Sequence, residues 1–258
     1  MFNFEKEFNS EQEEIDEAKI SKEMNFDIDQ EIPISERPKK ILEFIVEHRK
    51  DSLVDLDANI EELQKIGIKK EEIEITIKLM CAMSYFDSIF FKKGVEMNFS
   101  LYDEPDLYAG YHSKEGEEDN EAYHIFVKRI SDKIKERNKN CVSFDSLNKL
   151  NFVENTEEEF ILSVAAHEVR HRLQKSDEQK NKIELFDRNK EYPKNINNFV
   201  EFERLFFEEE EKVRSEEYIK GRLSDLEFDA RVVESIFEDA LRKGESIKEL
   251  CEIIKLKG

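Results

Sequence analysis

The chain has 258 residues, 38% hydrophobic and 10% aromatic with Phe 20, so it can bury a core and is not disordered throughout. Its 62 Asp+Glu against 41 Lys+Arg leave a formal net charge of -21, which disfavours nucleic-acid backbones and anionic membrane surfaces as partners. No apolar run approaches the roughly 20 residues of a membrane span, and the acidic start Met1-Phe2-Asn3-Phe4-Glu5-Lys6-Glu7 does not read as a signal peptide.

Residues 1–36 are acidic and polar, with Pro33 and Pro38 at their end, and read as a mobile arm. A helical region is expected over 37–93. Lys40–Arg49 carries Ile41, Leu42, Phe44 and Ile45 at helical spacing, Asp57 caps a helix ending near Gly67, and Glu71–Lys93 reads as a long helix stopped by Gly94. Gly94, Pro105, Gly110 and Gly116 then cluster, and β-branched and aromatic residues mark short strands at Val95–Tyr102, Leu107–Tyr111 and Tyr123–Val127. A small antiparallel sheet is the expectation there. Thr156-Glu157-Glu158-Glu159 forms a capping box opening a helix to about Gln174. An acidic helix over Asn197–Lys220 ends at Gly221, Ser224-Asp225-Leu226-Glu227 opens another to about Lys243, and Ser246–Leu256 closes the chain. The fold class is α+β and helix-dominated, with residues 94–258 following the helical region as one domain. Cys81, Cys141 and Cys251 are widely spaced and odd in number, which argues for reduced thiols in a cytoplasmic protein.

One motif carries chemistry. His167-Glu168-Val169-Arg170-His171 is His-Glu-x-x-His within a helical segment whose apolar side holds Ile161, Leu162, Ala165, Val169 and Leu173. Residues four apart lie one turn above each other, so His167 and His171 present both imidazoles to one point. Two imidazoles and a carboxylate suit a catalytic zinc whose fourth position is left to water. Glu168 sits beside such a metal rather than on it, placed to accept a proton from the water. The third ligand must come from elsewhere. Glu227 is the first choice, on a downstream helix with an apolar face of Leu226, Ala230, Val233 and Phe237; Glu234, two turns further along that face, is the rival.

Ala166 through Gln174, followed by Glu227-Phe228-Asp229-Ala230, resembles the zincin metallopeptidases whose third ligand is a glutamate. The similarity is nearest to compact bacterial and phage versions, including ImmA/IrrE-type proteins. The resemblance spans about residues 94–240, with only the two short motifs specific. It implies a small sheet before the motif helix whose edge strand binds extended substrate. It also implies one Zn2+ per chain on His167, His171 and Glu227, with Glu168 as general base. The thermolysin-like Glu-x-x-x-Asp pattern is absent, since Arg231 stands four residues after Glu227, which leaves the partners of the histidines unassigned.

Tyr111, His112 and His124 flank the expected sheet and are oxyanion-stabilising candidates, although structural or exposed roles suit the histidines better. His48 reads as solvated. Cys141 invites comparison with peptide deformylase, whose glycine-rich and Glu-Gly-Cys motifs are missing. The expected activity is zinc-dependent hydrolysis of a peptide or protein substrate. The alternative is a catalytically inactive fold of the same kind acting as an acidic protein-binding or regulatory module. An acidic helical scaffold without metal follows if the motif is coincidental.

Overall fold

A computed structural model of the chain describes residues 32–49, 56–91, 94–100, 109–112, 121–126, 155–175, 184–213 and 225–258. Most of the expected arm, Cys141, Gly221 and the Ser224 cap lie outside the described residues. Seven α-helices and three strands are present among those described: α1 (Arg37–Arg49), α2 (Leu56–Lys65), α3 (Lys70–Phe90), β1 (Glu96–Ser100), β2 (Ala109–His112), β3 (Ala122–Phe126), α4 (Glu157–Lys175), α5 (Lys194–Val213), α6 (Asp225–Lys243) and α7 (Ile247–Ile254). None of these helices is long and apolar enough to cross a membrane.

The helix ends follow local chemistry. The first helix starts three residues before Lys40 because Pro38, in its first turn, needs no hydrogen-bond acceptor there. At the end of α2, Gly67 adopts φ 86, and its N–H and that of Ile68 close onto Gln64 and Leu63. The third helix stops at Phe90 rather than running to Lys93. Phe91 turns extended (φ -125, ψ 138) while its N–H still reaches the Asp87 carbonyl. At the start of α4, Thr156 and Glu159 form the expected box: the Thr156 N–H donates to Glu159 Oε2 at 2.8 Å and the Glu159 N–H to Thr156 Oγ1 at 3.2 Å. Pro193 precedes α5, its carbonyl accepting from Ile196 and Asn197, so that helix opens before Asn197. Ser246 and Glu249 form a second complete box at α7.

The antiparallel expectation for the sheet holds for one pair of strands and is corrected for the other. Its strand order is β1-β3-β2; β2 pairs antiparallel with β3, whereas β1 pairs parallel with it. The last strand inserts between the first two, and the long stretch from Ser100 to Ala122 gives the chain room to return in the same direction. Alternation puts Tyr123 and Ile125 of β3 on the buried face beside Tyr111 and Ala109 of β2, and leaves His124 on the other face.

Helix α4 is the axis of the molecule. From Glu159 to Arg170 every residue is buried, so the usual one-sided apolar stripe is replaced by burial all round. It packs against α3, α6, α1 and β2, and Ala165 and Ala166, both fully buried, keep its surface thin at the contacts. One apolar cluster joins Ile41 and Ile45 of α1, Leu79 and Phe86 of α3, Phe160 and Leu162 of α4, Phe237 of α6 and Leu250 of α7. A smaller cluster (Phe186, Val200, Phe207, Phe228, Val232, Val233) fills the space between α5 and α6.

Candidate metal centre

Helices α4 and α6 run antiparallel, with polar contacts along their length. Asn155 Nδ2 donates to Glu238 Oε1 at 2.7 Å near one end, His167 meets Glu234 in the middle, and His171 meets Glu227 near the other end. The i, i+4 spacing on α4 brings His167 Nε2 and His171 Nε2 within 3.0 Å of each other. Glu227 Oε2 lies 3.1 Å from His171 Nε2 and 3.5 Å from His167 Nε2. Among the described residues these three side chains form the one group whose donor atoms could share a metal ion, all within 4.8 Å of one another.

Each ligand candidate is held from behind. His167 Nδ1 lies 3.0 Å from Glu234 Oε2, and a carboxylate can only accept, so the Nδ1 proton points to Glu234. Glu234 is thus the partner of a histidine and not a member of the inner three. His171 Nδ1 lies 2.8 Å from Gln174 Oε1. Arg231, four residues after Glu227, donates from Nε to Glu227 Oε1 at 3.0 Å, which leaves Oε2 directed at the histidines. Glu168 is buried, and its Oε2 accepts the backbone N–H of Tyr111 on β2 at 2.8 Å. The edge strand therefore fixes one oxygen of that carboxylate.

Two carboxylates set the charge balance of the cluster. Burial disfavours a charged His167, but the Glu227 and Glu234 carboxylates outweigh it and hold the imidazole up to about 10. Burial likewise works against ionised Glu227, yet His167, His171 and Arg231 keep it well below the usual carboxylate range. With its Nδ1 proton turned to Glu234, His167 offers Nε2 to a cluster of acceptors that calls for a positive centre, whether proton or metal.

The other sequence candidates fall elsewhere. Tyr111 reaches the site through its backbone, while its ring packs on Tyr123 at 5.5 Å. His124 is on the sheet face opposite Tyr123, and the side chain of His112 lies outside the described residues. His48 is exposed and its Nδ1 sits 2.8 Å from the Phe44 carbonyl. Sequence reasoning missed two buried ion pairs on either side of His171. Arg170 binds Asp229 of α6 through Nε and Nη2 at 2.6 and 2.8 Å; Arg172 binds Asp87 of α3 through Nη1 at 2.7 and 2.6 Å, and Tyr123 donates to the same carboxylate. The available signal was a pair of arginines inside a segment otherwise apolar enough to be buried. Compared with family models, curated proteins and solved structures, the chain matches none of them.

Proposed function

We propose that the chain is a zinc-dependent peptidase of the zincin type, acting on peptide or protein substrates. The observation that carries this reading is the convergence of His167 Nε2, His171 Nε2 and Glu227 Oε2 within 4.8 Å, next to a separately anchored Glu168. Two nitrogens and one carboxylate oxygen, each backed by a hydrogen-bonded partner, suit zinc as a donor set and leave a position for water or substrate. Bound zinc supplies Lewis acidity that polarises a carbonyl and lowers the pKa of water toward neutrality. The three side chains would hold the ion, and the Tyr111 N–H holds Glu168 Oε2, which would leave Oε1 to accept a proton from water and return it to the leaving amine. The three separated cysteines support a cytoplasmic home for this activity.

A second reading draws on the charge balance of the same cluster. Glu227 is already paired with two imidazoles and Arg231, so the site is also stable as a proton-bridged network in an inactive, acidic protein-binding module. Metal analysis and one variant separate the two. The peptidase reading expects about one zinc per chain, and Glu168→Gln should retain that zinc while peptide turnover falls about 10²–10⁴-fold. A purified chain that takes up no zinc sinks it.

A further inference from the structure

Gln174 lies one turn beyond His171 on α4, and its amide is clamped at both ends. Its Nε2 donates to the Leu226 carbonyl at 2.8 Å and to Asp229 Oδ2 at 2.6 Å. Both partners can only accept, so the nitrogen end of the amide must face α6 and the oxygen end must face His171 Nδ1, 2.8 Å away. Asp229 is itself immobilised. It is fully buried, bound by two nitrogens of the equally buried Arg170, and accepts the Phe186 N–H at 2.8 Å. Arg170 is anchored further by donating to the Ile254 carbonyl at 3.0 Å. The amide therefore cannot reverse without setting its oxygen against a carboxylate oxygen and a carbonyl at hydrogen-bond distance, acceptor facing acceptor at both contacts.

We propose that Gln174 is a positioning residue that fixes His171 in the Nδ1–H tautomer, its own orientation set by Asp229, Arg170 and the Leu226 carbonyl, so that Nε2 is kept as a lone pair for a metal ion. The inference rests on the metal-site reading above. It differs from the role of Glu234, because a neutral amide selects a tautomer without adding charge to the site.

The experiment records imidazole nitrogen signals of the metal-free, 15N-labelled full chain at alkaline pH and measures zinc affinity by chelator competition. Glu227 Oε2, 3.1 Å from His171 Nε2, competes for the same proton, so a predominant Nδ1–H tautomer in the wild type is the expected result of the Gln174 contact, and a predominant Nε2–H signal overturns the proposal. Gln174→Met keeps the length of the side chain but removes the acceptor. His171 should then show mixed tautomers, and zinc affinity should fall about 10–100-fold, the range typical of lost partners to ligating histidines. Zinc affinity of Gln174→Met within about twofold of wild type, with an unchanged His171 signal, overturns the role. A wild-type chain without zinc affinity sinks the metal reading alone, and the wild-type tautomer still decides this one.

Discussion

His167 and His171 each turn one nitrogen inward, but the side chains behind them differ in charge: a carboxylate for His167, an amide for His171. The ligand set and its supports should therefore respond differently to neutral substitutions. Glu227→Gln removes the charged oxygen facing both Nε2 atoms and should weaken zinc binding beyond the roughly 10–100-fold loss expected for Glu234→Gln, which removes only a partner. Competition titrations giving the reverse order would exchange the two roles. Proton linkage follows from His167. Its folded-state value of about 10 exceeds the ordinary 6.5, so in the metal-free chain its pairing contributes stability that is complete below 6.5 and lost as pH rises through about 10. Zinc must displace that proton. Apparent zinc affinity should rise about tenfold per pH unit across the window between those values, with one proton released per ion. Affinities measured at several pH values that stay flat near neutrality would show that His167 carries no such proton.

Helix ends were legible where the signal is local: Thr156 with Glu159, Ser246 with Glu249 and Gly67 all act within one turn of the residues they cap. Asp57, expected as a cap, instead lies inside α2, and α3 stops short of Lys93. Gly67 and Gly244 both adopt positive φ, 86 and 77, but in different surroundings. A Cβ at Gly67 meets open space, so Gly67→Ala should lower stability by only about 1–2 kcal/mol from the left-handed backbone. At Gly244 it would also lie 2.5 Å from Arg37 Nη1, which donates to the Gly244 carbonyl, so Gly244→Ala should cost more. Equal denaturation midpoint shifts would show that the Arg37 contact adds nothing. Sheet direction was not legible, because parallel or antiparallel pairing of β1 depends on where β3 inserts and not on residues within either strand. The partners of the histidines escaped for a similar reason. Glu234 reads as a rival ligand and Gln174 only as the end of the motif helix until α6 is laid against α4, and only the crossing of those helices decides which glutamate faces Nε2 and which faces Nδ1.

The apolar core does not divide at the boundary between the early helices and the rest of the chain: Ile45, Leu79 and Phe86 pack in one cluster with Phe160, Leu162 and Phe237. The described parts should therefore unfold together. Thermal denaturation followed by far-ultraviolet circular dichroism and by tyrosine fluorescence should give coincident single transitions, and two separated transitions would contradict a shared core. The same arrangement gives α4 a mechanical character. Arg170 and Arg172 flank His171 in sequence and reach buried carboxylates on two different helices, Asp229 of α6 and Asp87 of α3. The helix is thus keyed on two sides like a shaft in a slotted bearing. Swivelling about its own axis would pull at least one guanidinium out of a two-point grip, so the aim of both imidazoles inherits the torsional stiffness of the whole bundle rather than that of a single helix.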